Sequence, residues 1–191
     1  SVTVAATDTS GASVNDIYTI TVANTNDNPV ATADTNSVLE GATLTVNEAN
    51  GVILGGTADS DVDASSSLTV SAISITNGAA GEVGNALTGT YGALTIAENG
   101  SYGYAATTAS ANALAAGATA ADSFTYTLSD GSGGTATATL IITVTGVNDA
   151  AVITQDANIS GAVTENSETN TATGDLFHSD VDNVDDKFQI V

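Results

Sequence analysis

Acidic and amide side chains gather in two stretches of this 191-residue chain, and both stretches have the same order. An aspartate precedes a glycine turn, an Asn-Asp pair comes next, a glutamate follows, and alternating aspartates close the series. The first stretch contains Asp8, Asn26, Asp27, Asn28, Glu40, Asp59, Asp61 and Asp63. The second stretch contains Asp130, Asn148, Asp149, Glu165, Asp180 and Asp182.

Such clusters need a cation or protons, because carboxylates that lie together without a basic partner cannot all stay ionised unaided. The chain has 22 acidic residues and one basic residue, which gives a net charge of −21. Carboxylate and amide oxygens suit Ca²⁺, whereas transition metals prefer thiolate and imidazole ligands. The chain has no cysteine and a single histidine. We therefore expect Ca²⁺ at both clusters; the alternative is that these residues only form turns.

Two well-known calcium motifs are absent. Asp59-x-Asp61-x-Asp63 begins like an EF-hand loop, but Ala64 takes the place of the required glycine and Val70 that of the bidentate glutamate. The glycine-rich nonapeptide of calcium-binding β-rolls does not occur either.

The composition also excludes several classes of function. Recognition of nucleic acid through phosphate neutralisation needs basic residues, so no nucleic-acid partner is expected. No apolar run approaches the length of a membrane span, so direct membrane insertion is not expected. His178, Ser179 and Asp180 are contiguous and therefore do not form a convincing catalytic triad. The chain is predicted not to be an enzyme.

The elements that must position these residues are β-strands, because apolar residues alternate with threonine throughout the chain. Runs around Val2–Val4, Tyr18–Val22, Leu44–Val46, Phe124–Leu128 and Leu140–Val144 have this period of two. A change of phase between Val70 and Ile73 predicts a bulge. Asn99-Gly100 between two runs predicts a hairpin, because the central residues of such a turn must tolerate positive φ. Residues 110–121 predict one short helical turn in a long connection. The fold class is an all-β antiparallel sandwich of the Ig-like or cadherin-like kind.

An internal repeat sets the domain frame. The segment Asp8–Asn28 aligns without gaps on Asp130–Ala150 with eight identities in 21 positions, and Ser60–Asp63 recurs as Ser179–Asp182. The repeating unit is thus about 120 residues long. We predict that residues 1–29 are the last strands of a preceding repeat, 30–149 a complete repeat and 150–191 the opening strands of the next. The end pieces could dock on the central unit or make head-to-tail contact with another molecule.

At these residues the chain resembles the VCBS-type, bacterial cadherin-like repeats of large calcium-dependent (RTX-type) adhesins. Residues 89–102 resemble the family's "YGxLTLxxDGSYTY" hairpin, 114–131 its "LaxGe…DtFtYtvsDG" segment, and 143–149 its closing "TVTGVNDAP". Asn26-Asp27-Asn28-Pro29 resembles the calcium linker between cadherin domains. Ala150-Ala151 replaces the family's Ala-Pro, which implies a less rigid second linker.

The resemblance implies a secreted protein of the bacterial cell surface, exported by type I secretion. The expected function is a structural extender, stiffened by Ca²⁺ at the repeat junctions and supporting adhesion or biofilm formation, with neighbouring repeats of the same chain as partners. The resemblance assigns the residues of the two clusters, grouped as above, as ligands, and Asp59 is added to them although the stretch from Ala49 to Val52 before it matches the family only loosely. The alternative is a calcium-dependent binding module for a glycan or protein, for which Tyr91, Tyr102 and Tyr104 are the candidate contacts.

Overall fold

A computed structural model describes residues 1–63, 67–155 and 176–182 of the chain. Within these ranges no helix is long and apolar enough to cross a lipid bilayer. The strands are β1 (Val2–Thr7), β2 (Ser13–Tyr18), β3 (Asp34–Leu39), β4 (Thr43–Val46), β5 (Thr69–Ile75), β6 (Ala80–Gly81), β7 (Leu87–Thr88), β8 (Ala93–Ile96), β9 (Tyr102–Ala105), β10 (Thr119–Ser129), β11 (Thr135–Thr145), β12 (Val152–Gln155) and β13 (Leu176–Ser179).

The central unit is a sandwich of two sheets, as the sequence predicted. One sheet has the strand order β3-β11-β10-β5-β6 and the other the order β4-β9-β8-β7. Alternate residues of each strand face the partner sheet, because side chains alternate between the faces of a strand. The largest fully buried side chains come from both sheets: Tyr104, Leu94 and Ile96 from one, and Phe124, Tyr126, Leu128, Leu140, Ile142, Val70 and Val144 from the other, with Val52 from a loop.

One strand pair departs from the antiparallel expectation. The edge strand β3 pairs in parallel with β11, from Leu140 opposite Asp34 to Thr145 opposite Leu39. The short 43–46 strand, β4, then continues in the opposite sheet and pairs with β9. The apolar pattern did not predict β3, because its sequence Asp-Thr-Asn-Ser-Val-Leu is mostly polar and alternation is weak where an edge strand is half-exposed.

The predicted bulge and hairpin are both present. The register between β5 and β10 shifts between Thr127 and Leu128, which accommodates the change of phase after Val70. At the β8–β9 hairpin only Gly100 has a positive φ, of 82°. Asn99 does not need a positive φ, because the loop closes with the Ala97 N–H donating to the Ser101 carbonyl and the Gly100 N–H donating to that of Ala97. One left-handed residue is enough for this longer loop.

The predicted helical turn is shorter than its sequence window. Helix α1 spans only Ala109–Asn112. Thr108 is its N-cap, and the Thr108 side-chain oxygen accepts the Ala111 N–H. The strand β10 already starts at Thr119. Gly117 has a φ of 79°, a conformation that a helix does not continue through.

The chain ends repeat contacts of the central unit. The pairing of β1 with β2 runs from Val2 opposite Tyr18 to Thr7 opposite Ser13. Adding the 122-residue offset of the repeat gives the pairs Phe124–Leu140 to Ser129–Thr135, which are pairs of β10 with β11. The inward residues of β10 and β11 are buried, whereas Val2, Val4 and Tyr18 are about half exposed. These registers agree with the predicted domain frame, whose boundaries stay a prediction.

Candidate functional site: two junctions between units

The first junction brings together the Asn-Asp linker, the Asp61–Asp63 loop and the turn between β10 and β11. The Asp27 N–H donates to Asp63 Oδ2 at 2.8 Å, and the Asp63 N–H donates to Asp61 Oδ1 at 2.7 Å. The Asn24 side chain also donates to Asp63 Oδ1. From the other side, Asn26 Nδ2 donates to Asp130 Oδ2 at 2.7 Å. Five predicted ligands therefore lie in one hydrogen-bonded group, because Asn26 Nδ2 also donates to the Asp27 carbonyl.

The Asp130 carboxylate is held at this junction by its own turn. The Ser132 and Gly134 N–H groups donate to Asp130 Oδ1 at 2.7 and 3.0 Å. The hydrogen bonds from Asn26 and from the backbone hold the pKa of Asp130 below its usual value. Gly134 is required by close approach, because a Cβ there would lie against Asp130 Oδ2 and 2.9 Å from the Asp27 carbonyl oxygen.

The second junction repeats part of this geometry. The backbone N–H of Asp149 interacts with the Asp182 carboxyl and lowers its pKa, at the place where the Asp27 N–H donates to Asp63. The Asp182 N–H donates to Asp180 Oδ1 at 3.2 Å, as Asp63 N–H does to Asp61. The Asn148 Nδ2 donates to the Asp149 carbonyl at 2.7 Å, as Asn26 does to that of Asp27 at 3.1 Å. The neighbouring Asp180 carboxyl and burial raise the pKa of Asp182.

The structure regroups two residues between the clusters. Asp130 contacts the first junction and not the Asn148-Asp149 linker with which its sequence position grouped it. Glu40 instead lies beside that second linker, since its Oε1 accepts the Val147 N–H at 2.6 Å. A unit's first glutamate and its β10–β11 turn are therefore at opposite ends of the sandwich, because β3 and β11 run parallel from one end to the other.

Asp8 lies in a turn of its own. Its Oδ1 accepts the Ser10 and Ala12 N–H groups at 2.8 and 2.9 Å, which matches the turn around Asp130. No hydrogen bond joins Asp8 to the Asn26-Asp27 linker within the described residues. Asn28 is exposed and Pro29 is buried. Glu165 lies outside the described residues.

Asp59 is placed away from Asp61 and Asp63, in a buried polar cluster around Tyr126. Its Oδ1 accepts the Thr32 N–H at 2.7 Å, and its Oδ2 lies 3.3 Å from the Tyr126 hydroxyl. Asp34 Oδ2 lies 3.0 Å from the same hydroxyl. Burial is the main cause that raises the pKa of both carboxyls. The pKa of Asp34 rises to about 6. Both oxygens of Asp59 thus have partners inside the unit.

A further buried carboxylate, that of Asp122, was not predicted from the sequence. It accepts N–H groups from Thr90, Tyr91 and Gly92 at 2.8–3.1 Å and the Tyr104 hydroxyl at 2.7 Å. A signal was present, because Asp122 has the inward phase of Phe124, Tyr126 and Leu128. An acid in that phase needs donors, and the loop before β8 supplies them.

The tyrosines named as candidate ligand contacts are mostly core residues. Tyr102 and Tyr104 are buried, and the Tyr104 ring packs edge-on against Phe124 with centroids 6.2 Å apart. Tyr91 is partly buried against the same core. His178 and Ser179 are consecutive residues of β13, and the expectation that they form no triad with Asp180 stays a prediction.

The donor set at the junctions fits a hard cation. In the part of the chain that the structure describes, three carboxylate oxygens are buried and have no hydrogen-bond partner: Glu40 Oε2, Asp61 Oδ2 and Asp182 Oδ1. Glu40 is only 6% exposed, so its free oxygen faces protein and not bulk water. A buried carboxylate oxygen without a donor is costly unless a proton or cation satisfies it. Over residues 1–63, 67–155 and 176–182, however, no three acidic, histidine or cysteine side chains converge on one point, so amide and carbonyl oxygens would have to complete each site.

Comparison with known proteins identifies the central unit. A family model described as a bacterial cadherin-like domain matches residues 26–146. No curated protein matches the chain. Among solved structures, a nucleoside hydrolase-related hypothetical protein from Saccharophagus degradans, associated with carbohydrate metabolism, is 16% identical with a TM-score of 0.38. That match covers 63% of this chain and 26% of the other, and it is too distant to carry an argument.

Proposed function

Because the chain belongs to the bacterial cadherin-like domain family, a structural and non-catalytic family, we propose that it is an extender segment of a secreted bacterial surface adhesin. Its units would hold an adhesive module away from the cell and support adhesion or biofilm formation. Ca²⁺ bound between units would stiffen the array. Type I secretion, a tandem array of neighbouring repeats and the absence of catalysis are parts of the same proposal.

The observation that supports it is the free buried oxygen of Glu40. This residue lies beside the linker to the next unit, and its second oxygen already holds the Val147 N–H. Asp61 and Asp182 each contribute one more free oxygen, at the first and second junction. Cationic partners are scarce in the sequence, which has one basic residue, Lys187, against 22 acidic residues. A bound Ca²⁺ would satisfy them, with Asn148, Asp149 and Asp180 as further donors at the second junction and Asn26, Asp27, Asp63 and Asp130 at the first.

The size of the stabilisation by bound Ca²⁺ follows from mass action. Extracellular calcium modules bind with a Kd of about 10⁻⁴–10⁻³ M. At roughly 10 mM Ca²⁺ each site would then add about 1.4–2.7 kcal/mol to the free energy of unfolding. We expect the melting temperature to rise by several degrees with Ca²⁺ and much less with Mg²⁺. It should return to the value of the cation-free protein on addition of EDTA. An equal response to Mg²⁺ would indicate charge screening and contradict specific sites.

The most direct test is the variant Glu40→Gln. Its side chain keeps one oxygen to accept the Val147 N–H and has an NH₂ group in place of the free oxygen. Without Ca²⁺ the variant should be as stable as the parent or more stable. With Ca²⁺ it should lose a large part of the rise in melting temperature that Ca²⁺ gives the parent. Asp16→Asn, at an exposed site on β2, is the matched control for one lost charge. If Glu40→Gln and Asp16→Asn respond alike to Ca²⁺, Glu40 is not a ligand.

A further inference from the structure

The tip of the β8–β9 hairpin carries a feature that cation binding does not use. Asn99, Gly100 and Ser101 form an Asn-x-Ser sequence, the acceptor motif for N-linked sugar. Asn99 is exposed, while Gly100 is buried and anchors the loop against Ile53. The acceptor side chain is thus displayed on a turn whose backbone is fixed.

The hydrogen bonds of Asn99 prepare its amide for reaction. The Ser101 hydroxyl and N–H donate to Asn99 Oδ1 at 2.7 and 3.1 Å. Asn99 Nδ2 donates to Glu48 Oε2 at 3.1 Å. A carboxamide nitrogen is a weak nucleophile because its lone pair is delocalised into the carbonyl group. Two donors on the oxygen make the N–H more acidic, and the carboxylate is placed to accept that proton.

There is room for a sugar beside this nitrogen. Asn99 and Glu48 line a cavity of about 450 Å³ whose other walls include Leu54, Ser67 and Leu68. Leu54 is 53% exposed there. Apolar and hydroxyl side chains together suit a sugar ring, which has apolar C–H faces and polar edges.

We propose that Asn99 is a glycosylation site, modified by a separate glycosyltransferase with an activated sugar diphosphate as donor. The Asn99 Nδ2 forms a bond to the anomeric carbon of the sugar while the bond from that carbon to the diphosphate oxygen breaks. The electron pair leaves with the nucleoside diphosphate, and Nδ2 gives one proton to a carboxylate base. No oxidation or reduction takes place.

The chain contains matched comparison sites. Asn77-Gly78 is also an exposed Asn-Gly turn, with an Asn77 φ of 58°, but Ala79 follows it and no hydroxyl is present. Asn50-Gly51 is followed by Val52 and has its Asn50 side chain bonded to Asn47. If the hydroxyl of Ser101 decides the reaction, only Asn99 of the three will be modified.

The test uses the folded chain, a soluble asparagine glycosyltransferase that accepts Asn-x-Ser/Thr, and UDP-glucose, with intact mass and peptide mapping as the readout. A peptide of residues 95–105 in the same tube confirms that the enzyme is active. We expect one hexose on Asn99 of the folded chain, retained in Ser101→Thr, reduced at least tenfold in Ser101→Ala and absent in Asn99→Gln. Glu48→Gln should slow the reaction severalfold, and Asn77→Gln should leave it unchanged.

Three outcomes would overturn the proposal. Modification only after denaturation in urea would mean that the folded loop is not an acceptor. Modification only at Asn158, which begins the other Asn-x-Ser of the sequence, would place the site elsewhere. A gain of only about one mass unit at Asn99 would indicate deamidation. None of these results depends on Ca²⁺, so the proposal and the extender function can fail separately.

Discussion

The pH dependence that Asp34 gives to stability can be measured, and it reports on the buried polar cluster around Tyr126. Four oxygens lie within 3.3 Å of the Tyr126 hydroxyl: the Thr32 and Val52 carbonyls at 2.9 and 3.3 Å, Asp34 Oδ2 at 3.0 Å and Asp59 Oδ2 at 3.3 Å. The hydroxyl has one proton to donate. Two carboxylates therefore compete for it, and burial raises the pKa of Asp34 from 3.8 to about 6.

The substitution Asp34→Asn should stabilise the protein at neutral pH. A carboxyl whose pKa is raised in the folded state binds its proton more tightly there, so the parent loses stability as the pH rises from about 4 to about 6. Above that range the loss is complete and constant. The rise of the pKa from 3.8 to about 6 corresponds to at most about 3 kcal/mol. Because water reaches part of this half-buried group, we expect about 1–2 kcal/mol.

The assay is urea unfolding of parent and variant from pH 3.5 to 8 in EDTA, so that bound cations do not contribute. The stability difference should be near zero at pH 3.5, grow through pH 5 and level off above pH 6.5. Thermal unfolding at pH 7.5 should show a gain of about 3–6 °C. Asp16→Asn controls for the lost charge of a very acidic chain. A difference independent of pH, or a variant less stable at pH 7.5, would refute the reasoning.

Two more substitutions test what holds the sandwich together. Asp122→Ala leaves three N–H groups and the Tyr104 hydroxyl without their acceptor. We expect the free energy of unfolding in urea to fall by about 3 kcal/mol or more. A fall of less than about 1 kcal/mol would mean that water replaces the carboxylate. Gly92→Ala places a Cβ 2.5 Å from the Ala105 carbonyl oxygen and 2.6 Å from the Tyr104 hydroxyl oxygen, so the variant should melt at least 10 °C lower or fail to fold. Gly103→Ala is its control, because its nearest neighbour would be the Leu44 carbonyl at 3.6 Å and the melting temperature should change little.

The two junctions differ in one respect that bears on stiffness. The first linker ends in the buried Pro29, whereas the second continues into Ala150, which is exposed. A proline fixes its φ and restricts the residue before it. The prediction of a less rigid second linker stays open, and comparing the hydrodynamic size of Ala151→Pro with that of the parent would test it.

The sequence by itself determined the all-β class, most strands and the repeated junction residues. Alternation of apolar residues with threonine is a local pattern, so β10, β11 and the β8–β9 hairpin could be read from neighbouring residues alone. The Asp61–Asp63 and Asp180–Asp182 loops could be matched because identical residues recur in the same order. The net charge of −21, the lack of cysteine and the single histidine favour oxygen ligands.

Only the tertiary structure decided which of these residues meet. The parallel pairing of β3 with β11 is a contact between distant segments, and it places Glu40 beside Val147 and Asp130 beside Asn26. Sequence order had grouped them the other way, because proximity along the chain does not state at which end of a sandwich a loop lies. Asp59 looks like any other turn acid in sequence, and the inward phase of Asp122 indicates its burial but not its donors. Their burial, and the donors that make it tolerable, follow from how the two sheets close over Tyr126 and Tyr104.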